Sequence, residues 1–258
     1  MGLYWNYFLM TLKSQIQYKV SFLLNVLGQF LTAFTSFWGI KFIFVRINGI
    51  DDFAYGQVLL CFAVIMMSFS VGEMIGGGLA VFPNLLREGE FDRILVRPRS
   101  VTLQLIVPNM DFSRLGLLIQ AVIVLCIAVP VSGVEWTVGK AVVFVLMIVC
   151  GSVIFFCLFL MIAAAAFFTI GSLDFLNIFT YGMRQFGKYP FSVYGKTALR
   201  FLTFVVPLAL IQYYPLLYLL DRKDRLAYMV SPILALLFLL PSYLLYRVGL
   251  RNYKSTGS

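Results

Sequence analysis

Glu73, in "FSVGEMIGGG", is the one acidic residue deep within an apolar run. A lone carboxylate at membrane depth costs about 3 kcal/mol on insertion scales unless it is paired, protonated or solvated, which makes it a functional candidate. Two readings are open. Either Glu73 carries protons in a coupled transport step, or it makes a structural bond to polar side chains on another helix, with Gly72 and Gly76 permitting close helix approach. Asn25, Gln29, Thr32 and Ser36, spaced by four, three and four with Gly39 continuing the line, share one helical face. Polar side chains in hydrocarbon need partners, so that face meets protein, through helix-to-helix hydrogen bonds, or forms a water-lined translocation surface.

A third constellation is "LLREGEFDRILVRPRS", residues 85–100, with seven charges in sixteen residues of a chain that is only 12% charged. Pro98 disfavours helix at Arg97, so any helix here is short, from about Glu90 to Val96. On it Phe91, Ile94 and Leu95 share a face, and Glu90 and Arg93 stand at pairing distance in sequence. In water between two membrane spans such a face has no lipid to cover. It meets either a protein partner or this protein's own helix ends.

Other chemistries are poorly served. The chain has no histidine, and its eleven carboxylates do not cluster at ligand spacing, so neither a catalytic residue nor a metal site is expected. Cys61, Cys126, Cys150 and Cys157 all fall in apolar runs and read as small packing residues. "PFSVYGKT", residues 190–197, approaches a phosphate-binding loop, but Pro190 takes the first glycine position and no strand precedes it. If ATP is used, another chain must bind it.

The elements that position these residues are membrane spans. Mean hydropathy is +0.93 over 258 residues, and apolar runs near the roughly 20 residues needed to cross a bilayer recur along the chain. They cover Val20 to Val45, Tyr55 to Phe82, a third ending near Pro130, the charge-free Ala141 to Leu173, which is one long span or the start of two with an apolar turn, and Tyr228 to Tyr246. Within residues 1–19, Trp5, Phe8, Leu9, Leu12 and Ile16 oppose Asn6, Lys13 and Gln17, the pattern of a helix lying in the membrane interface. The net charge of +9 sits mostly between and beyond the apolar runs, as for loops facing anionic lipid and not for a nucleic-acid surface.

Residues 171–227 admit two topologies. A cytoplasmic loop carrying Arg184, Lys188, Lys196 and Arg200 before a span at Phe201 to Leu220 puts fourteen Lys and Arg inside and six outside. A shorter span at Ser172 to Phe186, followed by a re-entrant element over Pro190 to Leu220 dipping in from the outer side between Pro207 and Pro215, gives ten and ten. Charge favours the first. Both make six crossings with the two termini on one side, expected to be the cytoplasm. The fold class is therefore an all-α integral membrane protein of one domain, residues 1–258.

"REGEFDRILVRPRS" also resembles the coupling segment, G-x-F-D-x-x-L-x-R-P, of permease subunits of ATP-binding-cassette exporters of the type-2 class, in the small six-span bacterial branch. "KYPFSVYGKTALRFLTFVVPLALIQYYP" is similar to the Y-P…L-R…P…P region of that branch, and "NYKSTGS" to its Y-x-S-x-G tail. The resemblance covers nearly the whole chain. It implies a permease that exports a hydrophobic or amphipathic compound (drug, toxin, peptide or lipid-like) across the bacterial plasma membrane. It implies as partners separate ATPase subunits holding ATP and Mg, and a second permease, identical or homologous, with no cofactor on this chain. The ATPase contact falls within residues 86–98, on Arg87, Glu90, Phe91, Asp92, Arg93, Ile94, Leu95, Arg97 and Pro98. The resemblance also favours the re-entrant topology that charge counting disfavours. Asn25, Gln29, Thr32, Ser36 and Glu73 are then expected on the transport path or the permease interface. The competing reading is a proton-coupled carrier using Glu73; a weaker one is a non-transporting anchor protein.

Overall fold

The computed structural model of the chain describes residues 2–47, 49–50, 52–169, 176–222 and 226–253. The chain opens with α1 (Gly2–Gln17), breaks at Tyr18, and continues as α2 (Lys19–Arg46). After a short loop, α3 (Tyr55–Arg87) runs for 33 residues, about 50 Å. Gln57 accepts the Ala54 N–H and so satisfies one donor ahead of its first turn. Then come the short helices α4 (Glu90–Leu95) and α5 (Val101–Ile106), followed by α6 (Leu115–Val131) and α7 (Val138–Ala166).

Past residue 175 a π-helical turn, Ile178–Gly182, leads into α8 (Met183–Phe186), α9 (Gly195–Phe204), α10 (Leu208–Ile211) and α11 (Tyr213–Leu219). The chain closes with α12 (Leu226–Ala235) and α13 (Leu239–Asn252), which together make one apolar stretch. Among the described residues there is no strand, and five helices are long and apolar enough to cross a bilayer. A sixth candidate is the bent pair Phe191–Phe204 and Leu208–Leu219, whose parts meet at 91°. The protein is thus the all-α membrane protein expected. The second span is longer than its apolar run, continuing past Phe82 to Arg87, and the last continues past Tyr246 to Asn252. Helical hydrogen bonding propagates into the polar residues once the spans have nucleated it.

α3 is the central helix, buried along most of its length between α6 and α7. Its glycines allow this. A Cβ at Gly72 would stand 2.7 Å from the Cβ of Phe155, and one at Gly76 would stand 3.1 Å from the Phe156 ring, so both face α7. At one end of the bundle Gly56 packs on the Val131 carbonyl where α6 ends, and Lys140 pairs with Asp221 at 2.6 Å. Beside it Arg222 bonds the Asp52 carbonyl and covers the Phe53 ring at 4.5 Å. The opposite end carries α4, and with it the start of α2, the start of α6 and the described C-terminus. There Gly116 of α6 lies against the Val26 carbonyl, and Tyr253 reaches α4.

α1 is pinned at this α4 end by its polar side. Thr11 donates to the Val107 carbonyl at 3.2 Å, and Gln15 donates to the Met110 carbonyl while accepting the Phe112 N–H at 3.0 Å. Trp5 and Met10 remain exposed, an apolar surface suited to lipid at the level where α6 begins.

Candidate functional site

Between α3 and α4 the chain must reverse within two residues, and Gly89 takes the left-handed conformation (φ 70°) that a side chain would disfavour. α4 then covers Glu90 to Leu95, with Val96 as its C-cap, close to the length set by Pro98. Its apolar residues do not act as one face. Phe91 is fully buried, edge-on to Phe82 at 4.9 Å, Phe167 at 5.7 Å and Tyr253 at 5.0 Å. Phe167 in turn touches Phe82 and Tyr246. One ring thus joins the ends of α3, α7 and α13, so for Phe91 the contact is with this protein's own helix ends. Tyr253 donates to Asp92 Oδ1 at 3.0 Å. Burial first, and then the bond to Asp92, push the Tyr253 phenol above its ordinary pKa range, so it is a donor at neutral pH.

Ile94 is half-buried against the same core, whereas Leu95 is 40% and Val96 84% exposed. Arg87, Glu90, Arg93, Arg97 and Pro98 also lie in the exposed layer. Arg97 and Pro98, with Arg99, line a cavity of about 490 Å³ closed from below by Leu103, Val107 and Tyr7 of α1. α4 therefore has an inner surface that grips three long helices, and it leads into an outer one, made of Leu95, Val96, Arg97 and Pro98, that the described residues leave uncovered.

Glu73 lies elsewhere. It is 1% exposed, and its carboxylate receives the Tyr181 hydroxyl at 2.7 Å on one oxygen. The other oxygen stands 3.2 Å from Arg114 Nε, close enough for ion pairing but out of line for a hydrogen bond. Arg114 Nε also pairs with Asp111 at 3.1 Å, and its carbonyl takes the Ser70 hydroxyl at 2.8 Å. The partners of Glu73 are thus on α6 and the π-helical turn, not on the polar face of α2. Because Arg114 directly precedes α6, Glu73 sits at the level of α1. The 14 residues from Met74 to Arg87 carry α3 roughly 21 Å further toward α4.

The polar face of α2 is present as spaced. Asn25 and Thr32 are exposed, Thr32 donating to the Gly28 carbonyl at 2.8 Å, and Gln29 and Ser36 are half-buried. Ser36 accepts from Lys188 Nζ at 2.8 Å. α2 as a whole is the least covered of the spanning helices. Arg114, Tyr181, Arg184 and Lys188 join these candidates in space, a grouping that sequence reasoning missed. Arg114 had a signal, a lone cation at the head of an apolar run, but Tyr181 had none beyond being a polar-tipped aromatic.

No curated protein and no solved structure matches the chain. Residues 30–257 do match a family model, described as ABC-2 family transporter protein, which covers α4, α2 from Phe30 onward and the later spans in full. With its spanning helices and the short helix seated across their ends, the chain belongs to the ABC-2 family of transporter proteins and is an ABC transporter permease.

Proposed function

We propose that this permease is the membrane half of an ATP-driven exporter, moving a hydrophobic or amphipathic compound out across the bacterial plasma membrane. Separate ATPase subunits, which bind ATP and Mg, dock on the outer surface of α4. The observation that carries this reading is the two-sidedness of α4: Phe91 locked into the ends of α3, α7 and α13, and Leu95 to Pro98 left open beside a cavity. A push on the open side reaches three long helices through one aromatic cluster, as a transmitter between ATP closure and helix tilting requires. The α4 end is then cytoplasmic, together with both termini. A second permease, identical or homologous, covers α2, the least covered spanning helix, whose exposed Asn25 amide is costly against hydrocarbon. The proton-carrier alternative needs a carboxylate open to a proton path, whereas Glu73 is enclosed, with Tyr181 on one oxygen and Arg114 beside the other.

The test is purification of the tagged chain in mild detergent from its native host, with mass spectrometry of what co-elutes, for the wild type and for Leu95→Asp with Arg97→Glu. An ATPase subunit retained by the wild type and lost by the variant is the expected result. Flux driven by a proton gradient with no ATPase bound would overturn the reading.

A further inference from the structure

Residues 176–220 contain Arg184, Lys188, Lys196 and Arg200 and not one Asp or Glu. The fold takes Lys188 of this stretch inside the bundle and leaves Arg184 half-buried. A Cβ on Gly187 would stand 2.8 Å from Cγ1 of Ile65, and Ile65 is ten residues from the far end of α3 and eight from Glu73. Gln212 donates to the Gly187 and Tyr189 carbonyls at 3.0 and 2.9 Å, which fixes the stretch at that depth. Lys188 therefore sits near the middle of the span, 8% exposed, its ammonium on the neutral hydroxyl of Ser36. Arg184 lies over the Phe69 and Tyr181 rings at 4.6 and 5.6 Å. Among the described residues neither cation has a carboxylate within 4.0 Å.

A buried ammonium without a counter-charge is expensive at membrane depth and marks a functional position. The same stretch also walls a cavity of about 340 Å³. Phe179 comes from before the cations and Phe201 and Val206 from after them, and Leu158, Ile162 and Leu245 complete an apolar lining. That volume is within the roughly 300–1,000 Å³ of small-molecule pockets.

We propose that the compound this permease carries is an anionic amphiphile. Its acid group supplies the counter-charge that Lys188 lacks, beside Arg184, which already feels the Glu73 carboxylate, and its apolar part occupies the cavity between the two ends of the basic stretch. The inference rests on the permease reading and adds the charge of the substrate to it. Exposed Lys196 and Arg200, one turn apart on α9, extend the same field and draw anions toward it.

The experiment uses the full chain in nanodiscs of phosphatidylcholine, without ATPase, and measures binding of radiolabelled dodecyl phosphate by scintillation proximity against empty nanodiscs. Saturable binding is expected, competed by unlabelled dodecyl phosphate and not by dodecyltrimethylammonium. Lys188→Met should weaken it roughly tenfold or more, since a buried charge pair is lost, and Lys188→Arg should restore most of it. If Lys188→Met lowers the detergent melting temperature and Lys188→Arg restores that temperature but not binding, Lys188 is only a structural tie and the proposal falls. Equal competition by the cationic amphiphile on the wild type overturns it without any variant having to fold. Absent binding with ATPase co-elution intact overturns the anionic substrate alone, whereas binding without co-elution overturns the exporter reading alone.

Discussion

Phe91 and Leu95 stand four residues apart on one short helix and serve opposite surfaces. Phe91→Ala empties a fully enclosed ring site and is expected to cost about 3–5 kcal/mol, seen as a large fall in the detergent melting temperature. Leu95→Asp alters an exposed position, so stability should change by no more than about 0.5 kcal/mol while ATPase co-elution is lost. If both variants lowered the melting temperature equally, the outer surface of α4 would be structural too. The Phe91 motif was legible in the sequence but its burial was not, because the rings around it come from residues 82, 167 and 253. Glu73 likewise read as a candidate, though its level and its partners depended on where α6 begins. For that pair, Glu73→Gln and Arg114→Gln should each destabilise by about 3–5 kcal/mol, and the double variant by clearly less than their sum. A thermal-unfolding cycle that came out additive would remove the coupling.

Among the elements, α2 and the α9–α11 bend differ most from ordinary spans. On α2 the exposed Thr32 predicts that Thr32→Trp impairs transport in a flux assay while the ATPase still co-elutes. Loss of permease pairing instead would place the polar face in a structural contact. In the bend, Gln212 is fully buried and its amide holds two carbonyls across the turn. Gln212→Leu leaves both carbonyls unpaired, at about 1–3 kcal/mol each, and should lower the melting temperature and open the 187–207 region to protease. Counting charges pointed away from this geometry for a physical reason. The positive-inside tendency concerns cations in open loops, whereas Lys188 is enclosed by protein and Arg184 is half-buried over the Phe69 ring. The paired prolines, Pro207 beside the bend and Pro215 within α11, were the better local sign.

For the whole molecule, hydropathy made five spans legible because burial in lipid demands long apolar runs whatever the packing. What it could not reveal is which ends meet. The α4 end is bound together by aromatic contacts and the far end by Lys140 with Asp221 and Arg222 with Phe53. ATPase binding is therefore expected to slow hydrogen exchange in α4 and in the last turn of α13 together, and to leave α12 unchanged. Protection confined to α4 would mean that the aromatic cluster does not carry the load. The bond from Tyr253 to Asp92 joins residues 161 apart in the chain. A ribosome therefore delivers α4 long before it delivers the residue that seats it. Until α13 is made, the short helix has no floor on that side. Under the proposed docking, recruitment of the ATPase is expected to wait for completed insertion, and a chain truncated before α13 should lose ATPase co-elution.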